Sequence, residues 1–217
     1  MEKNLRRKHG HVSGGRVNLD KTLKPKDLCG IPWRVAFALQ DAGWYLRSDI
    51  IWNKPNSMPE SATDRPTRSH EYIFLLTKSI KYFYDTGAIA EVGKAESANR
   101  YRAPFHVGKK EVSGAGRSDK AANTAGMKPF SGLRNKRTVW TITTQSFKGA
   151  HFATYPVALI EPCILAGCPK GGIVLDPFSG AGTTGVAALK HGREYVGIEL
   201  NPEYVNIARN RILKRFE

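Results

Sequence analysis

Cysteine is scarce: Cys29, Cys163 and Cys168 are the only three in 217 residues. That number and scatter exclude a disulfide scaffold. No apolar run approaches the ~18–20 residues of a membrane span, and no secretory leader pattern opens the chain. Internal repeats are absent. Acidic residues are few, 19 against 34 Lys and Arg, leaving a formal charge of +15. With 41% apolar and 10% aromatic residues a real core forms, so wholesale disorder is excluded. What is left is a cytoplasmic protein with a polyanionic partner and no membrane attachment.

The charge is concentrated in two places. Residues 1–26 carry eight basic and two acidic side chains, and residues 87–137 carry eleven and four. Everything else is close to balanced. Both segments are rich in small and polar residues and lack a sustained period. They read either as solvated arms or as a phosphate-binding surface whose affinity falls with salt. Tyr101, Phe105 and Phe130 stand among the bases and are available for stacking.

The remainder alternates between helical and strand patterns. Leu28–Ala42 reads as a helix, with Asp27 as N-cap, Pro32 in its first turn and Gly43 after its end. Trp44–Asn53 alternates as a strand, and Tyr72–Thr77 is a buried strand beyond a polar loop. Tyr82–Tyr84 reads as a short strand. Thr138–Thr143 is a further strand, and Tyr155–Ala166 a helix with Pro156 in its first turn and Pro162 weakening its middle.

The last third is one strand–turn–helix–strand unit and a closing helix. Ile173–Leu175 is a short strand, a helix runs to His191 before Gly192, Glu194–Glu199 is a strand, and Pro202–Arg215 is amphipathic. The turn Gly180-Ala181-Gly182-Thr183-Thr184-Gly185 satisfies G-x-G-x-x-G. Glycines there let a ligand approach the backbone, and the following helix offers free N–H groups. Glu199 ends the next strand, where a carboxylate accepts two ribose hydroxyls. An adenosine-type cofactor follows. NAD needs a pyrophosphate in the turn, and Asp176 just before it repels one. The charge therefore favours S-adenosylmethionine (SAM), whose amino-acid end is zwitterionic.

Cys163 and Cys168 with His151 fall short of the four ligands of a zinc site, so no metal is expected. His70-Glu71 is not H-E-x-x-H, because Phe74 stands where the second histidine belongs. Trp52 serves as a stacking platform or as core, and Lys54 as a phosphate contact or as an exposed cation.

Asp176-Pro177-Phe178-Ser179-Gly180-Ala181-Gly182-Thr183-Thr184 resembles the SAM motif of DNA amino-methyltransferases, the N4-cytosine/N6-adenine class. Gly197-Ile198-Glu199-Leu200-Asn201-Pro202 is similar to that family's next motif. Ile50–Asn56 and His70–Leu75 resemble its strands beside the target base, and Trp140–Pro156 its motif ahead of the SAM turn. The order is that of the permuted β-type members. The resemblance implies a Rossmann-like α/β methyltransferase fold, circularly permuted, with SAM as cofactor and DNA as partner. The chemistry implied is methyl transfer to N6 of adenine or N4 of cytosine in a flipped base. RNA fits the charge as well, since basic loops do not distinguish the two.

The resemblance also divides the chain: a basic arm 1–26, a target-pocket half 27–86, a recognition region 87–137 and a SAM-binding half 138–217. It implies cofactor contacts from Asp176, Pro177, Phe178, Gly180, Gly182, Thr183, Thr184, Glu199 and Asn201, with His151 and Phe152. Expected DNA contacts are Lys109, Lys110, Arg117, Lys120, Arg134, Lys136 and Arg137, with Lys54 from the pocket half.

The family's catalytic tetrapeptide, Asp/Asn/Ser-Pro-Pro-aromatic, has no counterpart, because the chain contains no Pro-Pro pair. Its oxygens accept the hydrogens of an amine whose lone pair is conjugated into the ring, and its aromatic stacks on the base. Asn201-Pro202-Glu203-Tyr204 comes near it but is explained as an N-cap followed by proline. No catalytic residue is therefore assigned. The expectation is that two central strands are missing and two sheet edges stand unjoined. A late or wrong start codon, a split enzyme completed by an upstream polypeptide that carries the tetrapeptide, or a decayed gene each accounts for this; a catalytically incomplete DNA-binding remnant is the alternative function.

Overall fold

The computed structural model describes residues 23–93, 132–145 and 154–214. His151, Phe152, Lys109, Lys110, Arg117, Lys120, the interleaved Tyr101, Phe105 and Phe130, and most of the N-terminal arm lie outside them.

Helix α1 spans Ile31–Asp41 and begins later than Asp27 suggested. Gly30 holds the cap position in the left-handed region, φ 63°, and Pro32 sits in the first turn. Asp27 instead accepts from the Lys24 backbone N–H at 2.7 Å and closes a turn around Pro25 and Lys26. The short carboxylate satisfies a local donor before any helix exists to be capped. At the other end Gly43, φ 92°, completes a Schellman motif: its N–H reaches Gln40, and that of Trp44 reaches Leu39.

Strand β1, Tyr45–Asn53, pairs antiparallel with β2, His70–Thr77, in a register from Tyr45 opposite Thr77 to Asn53 opposite His70. Tyr82–Tyr84 forms no strand, because no strand among the described residues pairs with it. The Tyr82 hydroxyl accepts from Arg47 Nε at 3.2 Å instead. Two-residue strands β3, Glu91–Val92, and β4, Leu133–Arg134, pair with each other inside the basic region. Strand β5 is only Val139–Thr141 and runs parallel to β1.

Helix α2, Val157–Gly167, starts after Pro156, which is its N-cap rather than a first-turn residue. It continues through Pro162, at the cost of one backbone hydrogen bond. Strand β6, Ile173–Asp176, pairs parallel with β7, Glu194–Gly197, and helix α3, Thr183–Lys190, connects them. Strand β7 ends two residues before Glu199, which therefore stands on the loop beyond the sheet. Gly192, φ 70°, closes α3 with a second Schellman motif, Gly192 to Leu189 and Arg193 to Ala188. Helix α4, Pro202–Leu213, is capped by Asn201, whose side chain accepts from Glu203 N–H at 2.9 Å.

The described strands make three separate sheets, β2-β1-β5, β3-β4 and β6-β7. Helix α2 touches both larger ones. Its Leu159 packs with Ile50, Trp52 and Trp140, and its Ile164 packs with Ala187, Ala188 and the partly buried Val174. Trp52 is core: it is 5% exposed and donates through Nε1 to the Ile142 carbonyl at 2.7 Å.

Helix α3 sits tightly on β7 and α4. A Cβ at Gly185 would lie 2.6 Å from the Tyr195 ring and 2.8 Å from Ile212. Tyr195 is held by its hydroxyl on Ser179 at 2.7 Å and cannot swing away freely. Gly185→Ala is therefore expected to destabilise the chain by about 1–2 kcal/mol through overpacking. Chemical denaturation checks this, and an unchanged midpoint contradicts it.

Candidate functional site

The turn between β6 and α3 gathers most of the cofactor residues named from sequence. Asp176 closes β6, and its Oδ1 accepts from the Phe178 N–H at 3.0 Å. Gly180, φ 50°, and Gly182, φ 75°, take left-handed backbone that β-carbons disfavour. Gly182 is needed for a second reason. A Cβ there would stand 2.8 Å from the Cβ of Ala208 on α4. Arg211 of α4 donates to the Ala181 carbonyl at 2.6 Å and holds the start of α3 in place.

Glu199 locks this turn to the one after β7. Its carboxylate accepts from Asn201 N–H and from Gly180 N–H, each at 2.9 Å. These bonds, that of Asn201 foremost, hold the carboxyl below its ordinary range. An ionised carboxylate has about four lone-pair sites, so acceptor capacity is left for ligand hydroxyls.

Beside the turn, a hydrophobic pocket wall carries a polar chain. The Thr184 hydroxyl donates to Asp176 Oδ2 at 2.5 Å, and the Tyr155 hydroxyl lies 2.5 Å from the Thr184 oxygen. Burial, opposed by the Thr184 bond and reinforced by the Asp176 charge, pushes the Tyr155 phenol up to about 12. Tyr155 is thus a neutral donor, and the order of donation is Tyr155 to Thr184 to Asp176. Tyr155→Phe keeps the ring and removes one donor. It is expected to cost about 1 kcal/mol of stability, read as a lowered thermal midpoint.

A cavity of about 220 Å³ opens over the turn, lined by Thr154, Tyr155, Phe178, Ser179, Gly180, Ala181, Thr183, Glu199, Tyr204 and Ile207. Of the expected cofactor residues, Phe178, Gly180, Thr183 and Glu199 reach it. Phe178 is 89% exposed at its mouth. Asp176 and Thr184 face an adjoining groove, Gly182 is buried against α4, and Asn201 caps α4. Pro177 is exposed and lines neither. Sequence reading missed Tyr155, Tyr204 and Ile207 as cavity walls. The signal for Tyr204 and Ile207 was the polar-start, apolar-stripe pattern of the last helix.

Lys54 is neither exposed nor free. Its ammonium lies 4.4 Å over the Trp52 ring and pairs with Glu71. Both residues line a groove of about 590 Å³ that also includes Met58, Tyr72 and Tyr155. Arg134, Lys136 and Arg137 converge on one carboxylate, Glu91, at 3.4, 3.9 and 3.1 Å. Desolvation raises the Glu91 carboxyl, but the Arg137 bond and the surrounding cations outweigh it and hold the group low. Among the described residues no cluster of three metal-ligating side chains exists, and no helix is long and apolar enough to cross a membrane.

A parallel strand–glycine turn–helix–strand unit with an acid on the following loop defines a Rossmann-like nucleotide-binding architecture. The chain belongs to the N6/N4 DNA methylase family, whose model matches residues 8–210. It is 53% identical over 197 residues to the type II methyltransferase M.Cfr9I of Citrobacter freundii, covering 91% of this chain and 54% of that protein. It is 49% identical over 206 residues to M.SmaI of Serratia marcescens, covering 95% and 59%. The chain thus spans about half the length of the curated relatives it matches.

Among solved structures, the PvuII DNA methyltransferase (cytosine-N4-specific) aligns with a TM-score of 0.58 at 18% identity, covering 83% of this chain and 56% of that one. The complex of M1.HpyAVI with SAM aligns with a TM-score of 0.54 at 22% identity, covering 85% and 71%. Both show the same fold.

Proposed function

We propose that this chain is the SAM-binding and DNA-reading part of a site-specific DNA methyltransferase that acts on an exocyclic amine of adenine or cytosine. The observation that carries the reading is the Glu199 lock, a carboxylate with spare acceptor capacity at the lip of a glycine-turn cavity. Membership of the DNA methylase family and the names of the relatives, type II methyltransferases, support the same reading.

In this reading Glu199 receives the ribose hydroxyls, and Phe178, Gly180 and Thr183 surround the methionine end. Asp176, held by Thr184 and Tyr155, supplies the negative field that favours a sulfonium over a pyrophosphate. SAM supplies an activated methyl group when bound. The chain's own residues bind and orient it and exclude water around it. Residues 1–26 and 87–137 meet the phosphates, residues 27–86 face the target base, and residues 138–217 hold SAM. Catalysis in the cytoplasm then rests on a Pro-Pro-aromatic tetrapeptide supplied from outside residues 1–217.

Calorimetric titration of the full chain tests the cofactor reading. SAM is expected to bind and NAD is not. Tighter binding of NAD than of SAM contradicts it.

A further inference from the structure

The cavity over the glycine turn does not end at Tyr155. Thr154 and Tyr155 line it and also line the groove of about 590 Å³ against β1 and β2. That groove in turn shares Lys54, Met58, Glu71, Tyr72 and Thr144 with a third hollow of about 490 Å³. The three adjoin and form one path from the cofactor residues to the loop between β1 and β2. In its middle stretch Met58 and Tyr72 offer surface to a flat ring. Its outer end is polar, with Asn56, Ser57, Arg68 and His70 on the walls.

Hydrogen bonds fix the shape of this outer end. The Lys54 N–H donates to the Ser69 carbonyl at 2.8 Å and closes the loop at its base. Asn56 is held from both sides by Thr144: its Oδ1 accepts the Thr144 N–H at 2.9 Å, and its amide donates to the Thr144 carbonyl at 3.2 Å. Glu60 accepts from Arg65 at 2.6 Å and from the Arg68 N–H at 3.4 Å, which draws the far side of the loop inward. Two cations line the hollow, and they differ. Lys54 is committed to Glu71 and to the Trp52 ring. Glu60, the other lining carboxylate, is matched by Arg65. Arg68 is exposed, and among the described residues its guanidinium forms no ion pair; it lies in the field of Glu60 without being bonded to it. One positive charge is therefore left over at the end of the path. A guanidinium carries it, with a rigid fork of donors that matches phosphate oxygens.

We propose that Arg68 holds a backbone phosphate of the target nucleotide, and that the path from its loop to Tyr155 carries sugar and base toward the cofactor. The proposal rests on the DNA methyltransferase reading above. A base turned out of the stack has to be held at the backbone on which it rotates, and phosphate contacts supply that register. Arg68 stands outside both segments where basic residues concentrate, so the charge pattern of the chain does not point to it. The role offered to Lys54 from sequence passes to Arg68, because Lys54 already has a carboxylate partner.

The test uses the full 217-residue chain in the presence of SAM. The probes are the 3′,5′-bisphosphates of deoxyadenosine and deoxycytidine and the two unphosphorylated nucleosides, titrated by saturation-transfer NMR. At least one bisphosphate is expected to bind about tenfold more tightly than its nucleoside. Arg68→Gln is expected to abolish that preference while the affinity for the nucleoside and the circular dichroism stay as they were. Arg68→Lys keeps the charge without the fork, so an intermediate preference is expected. On a DNA duplex, Arg68→Gln is expected to make the slope of log affinity against log salt shallower by about one. A chain that does not prefer the bisphosphates overturns the proposal. So does a preference that survives in Arg68→Gln, even with a shallower duplex slope, because Arg68 then meets a flanking phosphate instead. SAM titration of the same samples separates the two readings. SAM bound with the preference untouched by Arg68→Gln removes the phosphate site alone. A preference lost in Arg68→Gln with no SAM binding removes the methyltransferase reading and leaves the phosphate site standing.

Discussion

Glu199→Ala is expected to lower SAM affinity by about a hundredfold or more. Two effects combine. The variant loses the acceptor for the ribose hydroxyls, and it releases Gly180 N–H and Asn201 N–H, whose bonds hold the turn closed. Sites that hydrogen-bond a hydroxyl lose far more on removal of the partner than sites that only pack against it. Glu199→Gln separates the effects. Its amide keeps one acceptor but turns two hydrogens toward the same N–H groups and ribose, so an intermediate loss is expected. The pH dependence has a definite sign. The folded carboxyl lies below its ordinary value of 4.5, so its contribution is fully present above that value. It is lost only as pH falls through the depressed value. Calorimetry across that range checks both statements, and full affinity in Glu199→Ala contradicts the assignment.

The cofactor half of the molecule was largely legible in the sequence because its signals are local. Glycines fix the turn and the end of α3 where a positive φ is needed, at Gly180, Gly182 and Gly192. Asn201 followed by Pro202 fixes the start of α4 in the same way. The misreadings fall where a nearby competitor wins. Asp27 looks like an N-cap, but the Lys24 N–H is nearer and available sooner. Tyr82–Tyr84 has strand composition, but strand is a property of pairs, and among the described residues no strand lies beside it. Glu199 reads from sequence as the last residue of the second strand, whereas the strand stops at Gly197 and leaves it on the loop beyond.

Features made by long-range contact were not legible. Tyr155 reaches Asp176 across 21 residues and Thr184 across 29, and nothing in the local pattern announces that chain. Lys54 illustrates the same limit. Its sequence neighbours suggest a solvated strand end, whereas Glu71 from the paired strand and the ring of Trp52 draw it in. A lysine between an indole and a carboxylate is a fixed point charge at the edge of a groove. That is a more specific object than either reading made from sequence.

The basic residues named for DNA divide into two groups with different expected weights. Lys109, Lys110, Arg117 and Lys120 have two acids among them in sequence, Glu111 and Asp119. Arg134, Lys136 and Arg137 share Glu91, which cancels one of their three charges and orients the rest. Each phosphate contact contributes about 0.9 to the slope of log affinity against log salt. Replacing the first four by alanine is therefore expected to make the slope shallower by about three to four and to weaken DNA binding by about a hundredfold or more at low salt. SAM affinity is expected to stay unchanged, because the proposed cofactor contacts, Phe178, Gly180, Thr183 and Glu199, lie in a different part of the sequence. Glu91→Gln acts in the opposite direction. It frees the shared charge and is expected to tighten DNA binding and steepen the slope by about one. Fluorescence titrations of a DNA duplex over a range of salt, run beside SAM calorimetry, read both variants. Equal loss of DNA and SAM binding in the fourfold variant contradicts a separate recognition segment, and weaker DNA binding in Glu91→Gln makes the carboxylate an organiser of the three cations instead.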